Sequence, residues 1–410
     1  MLSGCGLVGE AEPVAGPVVE ASVELLPASE EANVGDDQAG ADAGATTPEE
    51  NQAVPADGAQ SATTAPAPTA SPEATVQEVA DPLSCLSNRA RIAQLLLPLA
   101  TQPELVQAQS FAASGELGGI GLLGQPDGGL ADALVALQRS SFVPLMVASD
   151  EEGGTVQRLA TLLGPISSTA DTARLKSPED TRREWVEYGS RVNSLGIDIV
   201  FGPVVDVGSG PGIASRSFGS DPALVASYGR AVAEGLIEAG ITPVFKHFPG
   251  HGSASADSHL ELPTTPSFET LRGVDLVPYS ELLSDPVLRD QVAVMVGHLA
   301  VPGLSDNTPT SLSEATVDGL LRTELGFEGL VFTDALNMGA IVNTFGLEAL
   351  ELAILAGSDV LILGSLADVT PALDHLVAKV DSDPNFAAVV DNRAIRILAS
   401  KGELSLCAGA

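Results

Sequence analysis

Short, almost continuously apolar runs recur along the chain from Gly119 onward: GGIGLL (118–123), VPLMVASD (143–150), IDIVFGPVVD (197–206), TPVFKHF (242–248), VAVMVGHL (292–299), GLVFTDAL (329–336) and DVLILG (359–364). Apolar residues on both faces of a short segment predict strands buried on both sides, as in a parallel sheet covered by helices. Between them lie amphipathic stretches of helical period, such as DALVALQRSS, REWVEYGSRVNSLG and ALVASYGRAVAEGLIEAG, the last closing on a glycine of the kind that follows helix C-termini. The alternation predicts roughly eight βα units, which fits a (β/α)8 barrel of the α/β class, with a doubly wound open sheet as the alternative.

The polar residues that end these runs discriminate between the two. Asp150, Asp206, Lys246 with His247, His298 and Asp334 each close an apolar run. In a barrel every strand C-terminus opens on one face, so these groups would converge, whereas an open sheet would gather only those beside its switch point. GGIGLLG also lacks the glycine spacing of a dinucleotide-binding turn.

Composition divides the chain. Residues 1–80 hold fourteen Asp or Glu, no Lys or Arg, and runs such as SATTAPAPTASPEATVQE. Such a segment cannot bury enough apolar surface to offset the entropy of ordering, and it reads as a disordered linker (6–80) ahead of a folded domain over 81–410. The net charge of −35 excludes a nucleic-acid partner, since so acidic a chain repels phosphate, and it suits a soluble, monomeric surface. At the N-terminus, LSGC (2–5) resembles a bacterial lipobox, whose cysteine would be lipidated at Cys5. The basic and apolar segments of a signal peptide do not precede it, so either translation starts upstream or the match is coincidental. The acidic tether behind Cys5 favours an anchor on the outer face of a cytoplasmic membrane; without lipid the protein would be secreted. No other segment is long and apolar enough to span a bilayer. Cys85 and Cys407 stand at the two ends of the folded region, where a disulfide would staple a closed fold; two unrelated thiols are the alternative.

The densest chemistry is KHFPGHGSASADSHLELP (246–263), with three of the five histidines. Pro249 and Gly250 prevent His247 and His251 from sharing a helix face, and cysteines are absent nearby, so a metal site is not expected. Asp257 and His259, two residues apart, would share one side of an extended segment. A carboxylate there would fix the tautomer of the imidazole and stabilise its protonated form, making His259 a proton shuttle.

This stretch resembles the signature of glycoside hydrolase family 3, in its β-N-acetylglucosaminidase branch. ASDEEGGTVQRL (148–159), FGPVVDV, IASRSFGSDP and ELGFEGLVFTDALNMGAI resemble further segments of that family, in its order, over most of residues 90–365. The resemblance implies a cofactor-independent, retaining exo-β-N-acetylglucosaminidase acting on saccharides derived from peptidoglycan. In it Asp334 is the nucleophile, His259 the acid/base with Asp257 as its partner, and Asp150, Arg158, Arg216, Lys246 and His247 hold the sugar. It departs from the family in Ala335, where a second acidic residue is common, and in the lack of the sandwich domain of many β-glucosidases, which favours N-acetylglucosamine over glucose. A β-glucosidase or a phosphorylase of the same family, and a lipoprotein that binds wall saccharides without cleaving them, are the alternatives. His298 reads as either a site residue or a structural histidine, His375 as surface or packing, and Trp185 with Tyr188, at i, i+3 spacing, as packing.

Overall fold

The computed structural model describes residues 81–407. The lipobox, Cys5 and the acidic linker lie outside the described residues.

Eight parallel strands form one sheet: β1 (Leu96–Thr101), β2 (Gly119–Leu123), β3 (Met146–Ser149), β4 (Ile199–Val200), β5 (Thr242–Phe248), β6 (Ala293–Val296), β7 (Val331–Thr333) and β8 (Leu361–Leu363). β8 pairs with β1, and the circle is completed between β7 and β8 by the Phe332–Val360 bridge and the Thr333 N–H donating to the Val360 carbonyl. The expected (β/α)8 barrel is therefore the fold, and a closed sheet leaves no edge to protect. All seven quoted runs contain strands. β1 is an eighth that the apolar pattern alone does not single out: Pro98 interrupts LLPLAT and has no N–H for a ladder, yet it pairs with Leu363 inside the barrel.

Alternate strand positions feed different cores, which is why the runs are apolar throughout. Val147, Val200, Phe245 and Val294 pack outward with helix residues such as Leu134, Val192, Leu236 and Leu282. Met146, Ala148, Ile199, Phe201, Val244, Met295 and Phe332 pack with one another inside, Phe201 and Phe332 meeting edge to face at 5.8 Å. The helices start where the local chemistry dictates. Ser177 accepts the Asp180 N–H ahead of helix Pro178–Ser194, Asp221 accepts the Ala223 N–H ahead of Pro222–Glu238, and proline opens both. No helix among the described residues is long and apolar enough to cross a membrane.

Trp185 and Tyr188 are buried on the first of these helices, 5.7 Å apart in a T-shaped pair. The Tyr188 hydroxyl donates to Glu151 (2.6 Å) and accepts from Gln157 Nε2 (2.9 Å). His375 lies on helix Val369–Ser382 beside Glu351. A disulfide joins Cys85, ahead of the first helix (Asn88–Gln94), to Cys407, beyond the last (Pro384–Ser400).

A crosslink over a sequence separation of 322 residues restricts the unfolded chain far more than the folded one. Replacing both cysteines by serine is expected to cost about 2–4 kcal/mol, read as a lower urea midpoint with a steeper slope because the opened chain exposes more surface when unfolded; an unaltered midpoint would contradict it.

Candidate active site

The C-terminal ends of the strands open on a cavity of about 410 Å³. Phe201, Met295 and Ile362 contribute apolar lining from the barrel interior, and Asp150, Glu152, Arg158, Arg216, Lys246, His247, His259 and Asp334 contribute the polar walls. All the residues expected to bind sugar thus meet in one place, as do the expected nucleophile and acid/base. Asp257 reaches the cavity through His259.

Neighbouring residues on a strand ordinarily face opposite sides, yet Lys246 and His247 both line the cavity. The β5–β6 pairing shifts register between Phe245 and Phe248, and such an irregularity re-aims side chains beside a functional site.

A charged network organises the floor. Just beyond β3 the chain folds into a two-stranded hairpin, Glu151–Gly153 with Val156–Gln157, which turns Glu152 and Arg158 back toward the barrel. Glu152 is buried and takes Lys246 Nζ at 2.6 Å, Arg216 Nε at 2.7 Å and Arg216 Nη2 at 2.8 Å. Lys246 Nζ also donates to Asp150 Oδ1 (2.7 Å), and Arg158 Nη2 to Asp150 Oδ2 (3.2 Å). Burial would raise the Glu152 carboxyl, but Lys246 and then Arg216 outweigh it and hold it at about 2. Burial likewise opposes the charge on Lys246, and Asp150 and Glu152 reverse this, raising its pKa. Arg158 Nε is buried without a hydrogen-bond partner among the described residues, a donor in reserve on the cavity wall.

His247 is fixed from both sides. Its Nδ1 lies 2.7 Å from Asp206 Oδ2 and its Nε2 lies 3.2 Å from Arg216 Nη2. A guanidinium only donates, so Nε2 must carry a lone pair and Nδ1 the proton. Asp206 Oδ1 further accepts the backbone N–H groups of His247 and His251, at 3.2 and 2.6 Å. Burial would raise Asp206, but His247 and the other donors hold it below the ordinary carboxylate value. Glu152 and Asp206 belong to the network around the cavity, and the residue-by-residue expectation leaves them out. Their signals are the unbroken acidic run Asp150-Glu151-Glu152 and the carboxylate closing the apolar run 197–206.

Asp334 follows β7 directly. Its Oδ1 accepts the Ala335 N–H at 2.8 Å, and Oδ2 has no hydrogen bond among the described residues. Burial would raise this carboxyl, but His298, His247, the Ala335 N–H and Lys246 together hold it below its ordinary value, so it stays ionised. His298 does not line the cavity. It lies 3.1 Å from the Ala335 carbonyl through Nε2 and 2.7 Å from Ser311 Oγ through Nδ1, steadying the segment behind Asp334. Burial holds His298 below the ordinary imidazole value.

His259 differs from the rest in exposure: its side chain is 64% accessible. The Asp257–Ser258–His259 segment is a turn, not the extended stretch its spacing suggests, because Asp257 Oδ1 accepts both the His259 backbone N–H (3.0 Å) and Nδ1–H (2.7 Å). A carboxylate that captures the N–H two residues on closes its own turn. Burial would raise the Asp257 carboxyl, and the two His259 donors outweigh it. With Nδ1 engaged, Nε2 has no hydrogen bond among the described residues, and the His259 ring lines the cavity. His251, by contrast, is buried, its Nε2 3.1 Å from Ser258 Oγ inside the same loop.

Residues 90–400 match the model of the glycosyl hydrolase family 3 N terminal domain. A protein named Beta-hexosaminidase LpqI, from Mycobacterium tuberculosis, is 40% identical over 334 residues, 77% of this chain and 83% of its own length. A crystal structure of a family 3 glycosyl hydrolase from Mycobacterium smegmatis superposes with a TM-score of 0.70 at 38% identity, covering 77% of this chain and 98% of that one. A family 3 β-N-acetylglucosaminidase from a Paenibacillus species superposes with a TM-score of 0.71 at 32% identity, covering 79% of this chain and 64% of that one.

Two substitutions test the electrostatics. Glu152→Gln should leave Lys246 and Arg216 under-compensated and cost about 3 kcal/mol at neutral pH. The depressed Glu152 carboxyl contributes stability that is present above its unfolded value and lost as pH falls toward 2, so the variant should lack that part of the acid-side decline in thermal unfolding. Asp275 is its opposite: burial, then Asp206, raises it to about 7, and its Oδ1 is unpartnered among the described residues. The unfolded chain releases this proton first, so the Asp275 contribution declines as pH rises from the ordinary carboxylate range to about 7. Asp275→Asn should remove that decline and raise stability at pH 8 by on the order of 1–3 kcal/mol; a variant less stable than the parent at pH 8 would contradict it.

Proposed function

The chain belongs to glycosyl hydrolase family 3, and on that premise we propose that it removes terminal, non-reducing β-linked N-acetylglucosamine from peptidoglycan-derived saccharides with retention at the anomeric carbon. The observation that carries this reading is the pairing, across one cavity, of an ionised carboxylate with a free oxygen, Asp334, and an imidazole backed by a carboxylate, His259 with Asp257. It is a glycoside hydrolase whose relatives carry the β-hexosaminidase name.

In the proposed reaction the sugar ring rests on the network of Asp150, Arg158, Arg216, Lys246 and His247, whose charged donors and acceptors suit hydroxyl groups. Asp334 Oδ2 attacks the anomeric carbon as the bond to the aglycone oxygen breaks, and protonated His259 gives its Nε2 proton to that oxygen. The product is a glycosyl ester on Asp334 and a neutral imidazole. In the second half His259 takes a proton from water, the resulting oxygen attacks the same carbon from the vacated side, and the Asp334 carboxylate is released. Asp257 accepts the Nδ1–H throughout and stabilises the imidazolium. Replacing the usual second carboxylate by imidazole keeps another full negative charge away from the nucleophile and from the substrate's acetamido oxygen.

The wild-type protein is expected to release p-nitrophenol from its β-N-acetylglucosaminide and not from its β-glucoside, at a rate independent of added phosphate. Asp334→Ala should lower this rate by at least ~10³-fold while melting as the parent does. Retained turnover in that variant would overturn the nucleophile assignment. A phosphate-dependent rate would mean a phosphorylase, and saccharide binding without turnover by the parent a binding protein.

A further inference from the structure

The segment that carries the dyad is only partly anchored by burial: Ser258 is buried against His251, but His259 is largely exposed and Leu260 is 76% exposed. The contacts that flank the exposed part are made at two glycines. On one side stands Gly339, the first residue of the short helix Gly339–Val342, five residues after Asp334. Its N–H donates to the His259 carbonyl at 3.1 Å, and the next N–H, of Ala340, points to the Ser258 carbonyl at 3.4 Å. A Cβ at position 339 would stand 2.8 Å from the Leu260 carbonyl carbon and 2.9 Å from the His259 carbonyl oxygen, closer than real Cβ atoms approach. On the other side stands Gly212, at φ +82°, where a Cβ would come 3.2 Å from the Asp257 carboxyl carbon; its carbonyl accepts Arg216 Nη1 at 2.7 Å. The dyad therefore sits in a slot between the loop that holds the sugar-binding Arg216 and the segment that follows the nucleophile.

We propose that Gly339 is a positioning residue for the acid/base step: by lacking a side chain it lets the His259 backbone dock on the segment following Asp334, which sets the reach of Nε2 to the leaving oxygen. This rests on the acid/base reading of His259 given above. Any larger residue would lift the 257–260 turn away from the cavity and leave Asp334, the sugar-binding network and the barrel untouched, because the atoms that must yield belong to an exposed loop.

The test uses two aryl β-N-acetylglucosaminides. Phenol is a poor leaving group that needs a proton as it departs, and 2,4-dinitrophenol departs without one. His259→Ala should slow formation of the glycosyl-enzyme from the phenyl glycoside by ~10²–10⁴-fold, and from the dinitrophenyl glycoside by less than ~10-fold. Gly339→Ala should reproduce this selectivity in weaker form, a ~10–100-fold loss on phenyl against less than ~3-fold on dinitrophenyl, with an unchanged melting temperature. Ala340→Pro replaces the N–H facing Ser258 by the ring Cδ, in a first helical turn where proline is tolerated, so it removes that donor and sets a carbon against the Ser258 carbonyl. It should shift the same ratio in the same direction, and it carries the test if Gly339→Ala does not fold. Equal losses on both glycosides in the folded Gly339 and Ala340 variants, or no loss on either, would overturn the positioning role. If His259→Ala itself slows both glycosides equally, the acid/base reading fails instead, and the proposal with it.

Discussion

The buried carboxylate of Glu152, shared by Lys246 and Arg216, is the interaction on which the site depends. It ties together, at the cavity floor, a hairpin after β3, the bulged end of β5 and the loop following β4, which strand pairing and apolar packing already bring side by side. Without that anion two cations would stand desolvated at the strand ends; without the cations the carboxylate would take up a proton. Charge balance holds where either sign alone would be expelled, because the Coulombic attraction in a dry setting exceeds the desolvation cost only when geometry satisfies every donor. Arg216 then spends its remaining contacts on His247 and Gly212, so the network also fixes an imidazole tautomer and one wall of the dyad slot.

The two halves of the proposed chemistry are supported by opposite means. Asp334 is rigid: a strand residue precedes it, its own N–H is bonded to the Val296 carbonyl, and His298 braces the segment behind it. His259 is carried on an exposed turn whose conformation is written locally by Asp257 and whose placement is borrowed from a neighbour. Such a division suits a reaction in which the nucleophile must meet one atom of a held ring, whereas the proton donor must accommodate aglycones of different shape.

Much of this is readable from the residues. Strands buried on both faces announce themselves as unbroken apolar runs, and a polar residue ending each run announces a barrel face, which is how Asp150, Lys246, His247 and Asp334 are found before any coordinates. β1 escapes because Pro98 imitates a break, and only a closed sheet, with partners on both sides, overrides that local signal. Asp206 is marked by the same signal, as the carboxylate closing the run 197–206, but its part in holding His247 is not, and Glu152 ends no run at all, because a contact made through another side chain leaves no periodicity. The turn at Asp257 is misjudged from spacing since a short-range hydrogen bond, invisible to a pattern of polar and apolar letters, outweighs the extended preference.

The Cys85–Cys407 bond gives the barrel a property that packing does not. The described fold is covalently a ring, so hydrolysis of any single peptide linkage in the loops between those cysteines opens the circle without freeing a fragment. In surroundings rich in proteases, a nicked molecule keeps all eight βα units on one covalent thread, and two independent cuts are needed before any part of the cavity wall can diffuse away.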